Sequence, residues 1–470
     1  MKHFWIFIII LSLIYLIIII YSYRQKFLKC HLPNVQKGLS RDLVYLSTVI
    51  LPNDLSNTNT NSFTFNLKNL NMAEPFNNLV SSENNNDISF KKIKCNKIYY
   101  GLPCKYIKDD CFYETLEKEG FVLSNDLKIA SLIVPCSYED SENEIKDLVN
   151  NGIDKNMFSD AVRIFMLNNT DYMVSKLALW KYLKEKYGAK VASGFIPYSW
   201  DLTDDNEVEI FKKEFSPDKL YITKNNHQRQ EGLEIHNKLD TIINSRDKYL
   251  LVQELLQDPY LISGRKINLR VYVLVIKDNN SNIKILVYRD GFMYYTSELF
   301  EKGNNKFEKN ITTGYIDRKI YEENPLTHMD LRKYLDSNRE MTPIEQYIKD
   351  NYPKVKISEY VFSQIYELIA FVFQTYENIV GSKSKGVSFQ VYGVDVAIND
   401  KLKPMIMEIN KGPDLGAKDG RDRELKMNLA RDILKSTGLL SNDSSNNFIT
   451  VLENVNINGS LMPIHNLVEN

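Results

Sequence analysis

The sequence lacks several features that mark common protein classes. Its 470 residues include only five cysteines, and no two of them have the close spacing of a zinc motif. It contains no glycine-rich dinucleotide-binding fingerprint, no P-loop and no internal repeat. Its 59 basic and 60 acidic residues nearly cancel, so no excess of positive charge attracts nucleic acid in general, and we expect no nucleic-acid partner. A local basic patch that holds an acidic protein tail is still compatible with this composition.

All five cysteines lie in the first third of the chain: Cys30, Cys95, Cys104, Cys111 and Cys136. One interpretation is a disulfide framework in a lumenal domain. The other is a set of free buried thiols in a cytosolic body, which the odd number of cysteines favours.

The N-terminus carries a long uncharged apolar run, Phe4 to Tyr23, of 20 residues. This length spans a bilayer as a helix. A cleaved signal peptide would need a shorter apolar core and a small-residue cleavage site, and the sequence has neither. Basic residues are more frequent after the run than before it, which places the body on the cytosolic side. The sequence therefore predicts a single-pass membrane protein, with residues 1–30 as the anchor and a cytosolic catalytic body.

Composition divides the rest of the chain into four segments. Residues 31–90 are rich in Asn and Ser and are expected to form a flexible linker. Residues 91–215 are predicted to form an N-terminal α/β subdomain, and residues 216–440 the central and C-terminal subdomains of the body. Residues 441–470 are again rich in Asn and are expected to be a loosely ordered tail.

Hydrophobic periodicity predicts the main elements of the body. Helices are predicted at Lys176 to Gly188 and at Ile357 to Glu377. Strands are predicted at Lys219 to Lys224, Tyr249 to Leu256, Ile267 to Ile276 and Ile283 to Tyr295. Because strands and helices do not alternate regularly, the pattern predicts an α+β fold with mostly antiparallel sheets.

A β-hairpin is predicted between Val391 and Asn410. Side chains alternate faces along a strand, so Asp395 in the first arm, and Glu408 and Asn410 in the second, point away from the apolar face. In an antiparallel hairpin Asp395 lies roughly opposite Glu408, and like charges in that position destabilise a sheet unless something neutralises them. The pattern is compatible with a solvated polar face, but it favours a site for a hard divalent ion such as magnesium.

Several of these segments together resemble the tubulin–tyrosine ligase-like family, ATP-grasp enzymes that join amino acids to protein carboxylates. The resemblance runs from Tyr172 to Leu434 and is strongest in "QELLQDPYLISGRKINLRVYVLVI", "YRDGF" and "VYGVDVAINDKLKPMIMEINKGPDL". It implies an ATP-grasp fold for residues 216–440 and the cofactors ATP and Mg²⁺. It also implies two substrates, a free amino acid and an acidic protein tail of tubulin or another protein.

The resemblance assigns roles to individual residues. Those that match magnesium ligands are Asp395, Glu408 and Asn410. Those that match nucleotide contacts are Lys224 and Arg229 at the phosphates, the strand edge Gln253, Glu254, Leu255 and Leu256 at adenine, and Lys266 and Asn268 at the ribose. Those that match catalytic positions are Arg270 and Arg289, near the transferred phosphate, and Lys426, near the incoming amino acid. Lys176 also occupies a matching position, where a solvated helix face is an equally good interpretation.

The chain departs from the family pattern at three places. The phosphate loop, usually rich in Ser and Gly, reads "NNHQRQEGLEI"; Asn268 stands where Asp is usual; and Thr312 and Thr313 stand where a Thr-Asn pair is common. Two hypotheses follow. The first is an active ligase that transfers glutamate, the commonest activity in the family. The second is a degenerate ATP-grasp module that binds nucleotide or a partner without turnover. Ligation of a small molecule stays open as a third.

Overall fold

The computed structural model describes residues 97–101, 110–135, 162–225, 232–277, 282–381, 387–441 and 445–454. Within these ranges the chain forms a large and a small β-sheet with helices packed on them. Among the described residues four strand pairings are parallel and nine are antiparallel. The prediction of mostly antiparallel sheets is therefore confirmed for this part of the chain.

The large sheet has eleven strands in the described ranges. They are β1 (Ile98–Gly101), β2 (Val122–Ser124), β3 (Leu132–Val134), β4 (Arg163–Ile164), β9 (Leu261–Ile262), β10 (Arg265–Lys277), β11 (Ile283–Thr296), β12 (Thr312–Thr313), β13 (Val387–Ile398), β14 (Pro404–Asn410) and β15 (Phe448–Asn454). The main path runs β12-β11-β10-β13-β4-β3-β1-β2, with β14 paired to β13, β15 to β11 and β9 to β10. The long strands β10, β11 and β13 are apolar on one face and form the centre of the principal core.

The small sheet has four described strands in the order β5-β8-β6-β7. They are β5 (Ser199–Asp201), β6 (Tyr221–Lys224), β7 (Leu233–His236) and β8 (Leu251–Glu254). Its aromatic core, around Trp200, Phe211 and Tyr221, is a cluster separate from the core of the large sheet.

Twelve α-helices are described. They are α1 (Cys111–Lys118), α2 (Asp171–Val174), α3 (Lys176–Tyr187), α4 (Ala189–Ala192), α5 (Asp205–Glu214), α6 (Leu239–Asn244), α7 (Phe307–Asn310), α8 (Ile320–Glu323), α9 (His328–Asp336), α10 (Pro343–Asn351), α11 (Ile357–Thr375) and α12 (Gly420–Ser436). Helix α3 starts where Ser175 caps it by accepting a hydrogen bond from the Ala178 N–H, and it ends at Gly188. The helices predicted at α3 and α11 are both confirmed.

The prediction of a transmembrane helix is corrected. The apolar run Phe4 to Tyr23 lies outside the described residues. Among the residues that are described, none of the helices has both the length and the apolar character needed to cross a bilayer. The longest of them, α11, buries most of its residues in the core of the protein instead. The predicted single-pass membrane location is corrected on the same finding.

Two predicted boundaries also differ from the structure. The tail expected after residue 440 contains β15, which pairs antiparallel with β11 from Tyr288 to Ile283. The N-terminal subdomain expected at residues 91–215 is not a separate unit, because its strands β1 to β4 join the large sheet through β13. Its last elements, β5 and α5, pack with the small sheet. Cys111 is a buried free thiol, as one of the two interpretations expected, and the other four cysteines lie outside the described residues.

Candidate active site

The predicted hairpin forms with the predicted pairing. In the antiparallel register of β13 and β14, Asp395 lies opposite Glu408, and Gly393 lies opposite Asn410. On its other side β13 pairs with β10, which places Arg270 opposite Asp395. Strand alternation thus gathers the carboxylates, the arginine and the amide on one face of the large sheet. We call this face, across β11, β10, β13 and β14, the site strip.

Arg270 and Asp395 form a two-pronged ion pair in the middle of the site strip. The Arg270 Nε donates to Asp395 Oδ1 at 2.6 Å, and Nη2 donates to Oδ2 at 3.2 Å. Burial lowers the pKa of Arg270, but the carboxylate of Asp395 outweighs it and holds the pKa well above its ordinary value. A Cβ on Gly393 would lie 3.1 Å from both Cδ and Nη1 of Arg270, so a larger residue there would require the arginine side chain to shift by a few tenths of an ångström.

Glu408 is paired with a lysine from a neighbouring helix. The Lys176 Nζ, at the first position of α3, lies 3.2 Å from Glu408 Oε1. Both side chains line a small pocket, which Lys224 and Gln253 of the small sheet also line. The pocket therefore lies where the small sheet, α3 and β14 meet.

Two buried lysines reach this region, and each donates a hydrogen bond to a neutral oxygen. The Lys224 Nζ donates to Gln253 Oε1 at 2.6 Å, and the Lys266 Nζ donates to the Leu256 carbonyl at 3.0 Å. Burial lowers the pKa of Lys224 to about 8. Burial, with the charge of Lys224 as a second cause, lowers the pKa of Lys266 to about 7. Phosphate oxygens would satisfy both ammonium groups, so the predicted nucleotide role suits their position.

The segment predicted to contact adenine differs from expectation in one respect. Strand β8 is not a sheet edge, because β5 and β6 pair with it on either side. The N–H groups of Glu254 and Leu255 donate to the carbonyls of Tyr198 and Leu220. These two N–H groups are therefore already bonded within the protein, and contact of the segment with adenine stays a prediction. The side chain of Gln253 is buried and holds Lys224.

Asn268 lies beside Lys266 on β10, as its ribose assignment requires. Its Oδ1 is buried and has no hydrogen-bond partner among the described residues. An unpaired buried acceptor costs free energy. A hydroxyl donor from a ligand would remove that cost, so the position is suited to a sugar.

Arg289, Lys426 and Arg229 are the remaining predicted residues. Arg289 is exposed, and its backbone N–H donates to the Asn447 carbonyl. The Lys426 Nζ lies 5.4 Å from the centre of the Phe292 ring, and Phe292 is paired with Arg270 on the site strip. Lys426 is buried and forms an ion pair with Asp422 at 3.0 Å, while also donating to the Gly416 carbonyl at 2.6 Å. Arg229 lies outside the described residues.

The donor set for a magnesium ion fits in type. Asp395, Glu408 and Asn410 offer two carboxylates and an amide oxygen on adjacent strands, and Mg²⁺ prefers oxygen ligands. The described ranges contain no group of three His, Cys, Asp or Glu side chains able to hold a metal, so the amide would have to complete the set. Asp395 contacts Arg270, and Glu408 contacts Lys176. A bound magnesium ion would therefore share each carboxylate with one of these cations.

Sequence comparison identifies the family. The model of the tubulin-tyrosine ligase family matches residues 152–446, which is well over half of the chain. The chain belongs to the tubulin-tyrosine ligase family. The two-sheet α/β architecture is consistent with that family's fold, and the matched range includes every residue of the site strip.

Curated relatives within the tubulin-tyrosine ligase family are distant. Tubulin polyglutamylase TTLL7 of Mus musculus is 26% identical over 269 residues, 54% of this chain and 29% of that protein. Probable tubulin polyglutamylase TTLL9 of Rattus norvegicus is 25% identical over 228 residues, 48% of this chain and 44% of that protein. Probable tubulin polyglutamylase ttll-9 of Caenorhabditis elegans is 24% identical over 304 residues, 60% of this chain and 69% of that protein. The chain thus spans less than half the length of the two mammalian relatives.

One residue of the site strip was missed by the sequence analysis. Tyr294 lies against Arg270, with the guanidinium carbon 5.2 Å from the ring centre. Alternation along β11 is the signal that could have found it, because Phe292 pairs with Arg270 and Tyr294 therefore lies on the same face. In this member of the tubulin-tyrosine ligase family, an aromatic ring borders the arginine on the side away from Asp395.

Proposed function

We propose that this protein is an ATP-dependent ligase that joins glutamate to a side-chain carboxylate of a protein. The observation that carries the proposal is the site strip itself. Asp395 and Glu408 lie opposite each other on β13 and β14, and Arg270 of β10 pairs with Asp395. Glu408 lines a pocket with Lys224, one of two buried lysines with lowered pKa values. Such an excess of charge-neutralising groups over nucleophiles suits phosphoryl transfer, which depends on positioning and electrostatics.

The reaction has two steps. The acceptor carboxylate attacks the terminal phosphorus of ATP, the bond to ADP breaks, and an acyl phosphate forms. The amine of glutamate then attacks the acyl carbon; phosphate leaves with the bonding electron pair, the amine loses a proton, and an amide remains. Both steps move negative charge between oxygens, so fixed cations rather than a catalytic Cys or His are needed.

Each part of the site has a role in this scheme. Lys224 binds the phosphates of ATP, and Arg270 orients the oxygens around the transferred group. Lys266, which the family resemblance places at the ribose, is in this proposal a second cation for the phosphates. Asp395, Glu408 and Asn410 hold Mg²⁺, which supplies charge neutralisation at the terminal phosphates when bound. Lys176 positions Glu408 from α3.

Tubulin is the acceptor we propose, because the curated relatives are named as tubulin polyglutamylases. The support is the shared family region alone, since most of the mouse relative has no counterpart in this chain. Glutamate as the added amino acid rests on the same names.

A second function, nucleotide or partner binding without turnover, is favoured by one observation. Arg289, expected at the transferred phosphate, is exposed and lies by α11 instead, which leaves Arg270 as the only described arginine that contacts the predicted magnesium ligands. A ligase with one arginine at this position must stabilise the transferred group with Arg270, the lysines and the metal.

The test is an assay of the full chain with ATP, Mg²⁺, radiolabelled glutamate and tubulin, alongside other acidic proteins and each other amino acid. We expect incorporation of glutamate that falls at least about a hundredfold in Glu408→Gln, because metal charge stabilises the transition state by several kcal/mol and each 1.4 kcal/mol is about tenfold. Glu424→Gln, an exposed change on α12, is the matched control. Wild type that binds ATP but incorporates no amino acid would establish the binding module instead.

A further inference from the structure

Arg270 uses only part of its guanidinium to hold Asp395. Its Nε and Nη2 each donate one hydrogen bond to that carboxylate, and its other N–H groups form no hydrogen bond within the described residues. In the proposed function these remaining N–H groups meet the oxygens of the transferred phosphate. They can do so only if the guanidinium keeps one orientation, and the long arginine side chain has many rotamers to choose from.

Tyr294 lies against this guanidinium. Tyr294 pairs with Asn268 across β10 and β11, so it is a diagonal neighbour of Arg270 on the same face of the sheet. The guanidinium carbon is 5.2 Å from the centre of the Tyr294 ring, within the range of a cation–π contact. Burial raises the pKa of Tyr294 to about 12, although the charge of Arg270 opposes the shift. The ring is therefore neutral wherever the enzyme works.

The ring and the arginine are packed between two glycines. A Cβ built on Gly314, which directly follows β12, would lie 3.0 Å from Tyr294 Cε1, so the backbone there contacts the edge of the ring. A Cβ built on Gly393 of β13 would lie 3.1 Å from both Cδ and Nη1 of Arg270. Because β12, β11, β10 and β13 are consecutive in the sheet, these four residues form one row in which each limits the movement of the next.

We propose that Tyr294 is a positioning residue, whose ring holds the Arg270 guanidinium in the orientation that presents its remaining N–H groups to the transferred phosphate. A neutral ring attracts the cation through its face and takes none of these N–H groups, whereas a second carboxylate would compete with the phosphate for them. The inference rests on the proposed ligase function for the phosphate that Arg270 meets. The ring itself touches neither substrate and acts through Arg270.

The kinetic test compares two substitutions at Tyr294 in the full chain. Tyr294→Phe keeps the ring, so we expect kcat within about twofold of wild type. Tyr294→Leu keeps an apolar side chain but removes the ring. We expect its kcat to fall about tenfold, equivalent to about 1.4 kcal/mol, and its KM for ATP to stay within about twofold of wild type. Thermal unfolding of each variant separates lost turnover from lost fold.

Tyr334→Leu is the matched control. Tyr334 of α9 forms the same kind of contact with Arg339, whose guanidinium carbon is 4.4 Å from the centre of its ring, and neither residue belongs to the site strip. The same substitution there removes a ring from an arginine that has no part in the proposed reaction. We therefore expect Tyr334→Leu to leave kcat and both KM values unchanged.

A binding test needs no turnover. It compares the affinity of the full chain for ADP and Mg²⁺ with and without aluminium fluoride, which mimics the phosphate in its transition state. We expect aluminium fluoride to tighten binding to wild type, Tyr294→Leu to lose about tenfold of that gain, and the affinity for ADP alone to stay unchanged. In an Arg270→Gln background Tyr294→Leu should cause no further loss, because the ring acts only through the guanidinium.

Other outcomes would overturn the proposal. Tyr294→Phe as slow as Tyr294→Leu would assign the role to the hydroxyl, and a higher KM for the amino acid or the acceptor would mean direct contact with a substrate. Losses that add in full to those of Arg270→Gln, or a wild type that gains nothing from aluminium fluoride, would exclude action through Arg270. A wild-type chain that shows the expected binding pattern but ligates nothing would instead refute only the proposed function.

Discussion

The pair of buried lysines determines how this protein responds to pH. Lys224 and Lys266 have pKa values lowered to about 8 and about 7, chiefly by burial. Near pH 8 the free protein therefore holds one of them largely neutral and the other about half protonated. Phosphate oxygens favour the charged form and raise both pKa values. We predict that nucleotide binding takes up about one proton at pH 8.

Calorimetry of ADP binding at pH 8, in buffers with different ionisation enthalpies, measures this uptake directly. Lys266→Met should remove most of it, because Lys266 is the more neutral of the two. Above pH 8 nucleotide affinity should decline as both lysines lose their protons. Equal binding enthalpies in all buffers would mean that neither lysine changes its protonation when nucleotide binds.

The same residues show how far the sequence predicted the site. The pairing of Asp395 with Glu408 was predictable, because alternation along two strands and a short connection fix it locally. The position of Arg289 was not. Arg289 was assigned by resemblance alone: it is five residues from Tyr294, so alternation puts the two on opposite faces of β11, and the register of β10 and β11 also shifts between the pairs Val271–Gly291 and Val273–Val287.

At the scale of elements, the positions of the long strands were predicted well, but the pairing of strands that are distant in sequence was not. The runs at β10, β11 and β13 are long and apolar, so their existence follows from composition. That β8 lies between β5 and β6 depends on contacts between distant segments, which no local pattern contains. Strand β15 was missed because Asn and Ser surround it, although "FITVLEN" itself is rich in residues that favour strands.

Helix α11 contains an acidic side chain, Glu367, whose burial costs free energy when the side chain is ionised. Glu367 has a buried Oε1 without a hydrogen-bond partner among the described residues, and burial raises its pKa to about 8. The folded protein thus binds this proton more tightly than the unfolded chain, where the pKa is near 4.5. The contribution of protonated Glu367 to the free energy of unfolding is fully present below pH 4.5 and is lost as pH rises toward 8. We predict that Glu367→Gln stabilises the protein at pH 8, on the order of 1–2 kcal/mol, and does not at pH 5.

Thermal unfolding of wild type and Glu367→Gln at both pH values measures the difference. Glu424→Gln, on the exposed side of α12, serves as the control for removal of a negative charge. A gain in Tm at pH 8 that persists unchanged at pH 5 would show that the effect is packing rather than ionisation of Glu367.

At the scale of the molecule, the site joins two sheets that have separate hydrophobic cores. Contacts that connect them include the hydrogen bond from the Lys266 Nζ to the Leu256 carbonyl, just after β8, and the Tyr198 ring, which packs against both cores. Lys224 belongs to the small sheet, whereas Lys266 and Glu408 belong to the large one. A nucleotide held by all three therefore connects the two cores.

This arrangement predicts that nucleotide stabilises both sheets together. A ligand at one hundred times its Kd adds about 2.7 kcal/mol to the folded state. In hydrogen exchange with ADP and Mg²⁺, we expect slower exchange in β6 and β8 of the small sheet and in β10 and β14 of the large one, with no change in β1 to β3. Lys224→Met should abolish the slowing in the small sheet and weaken it in the large. Slowing confined to one sheet in wild type would mean that the nucleotide is held by that sheet alone, and that the pocket between the two sheets is not its site.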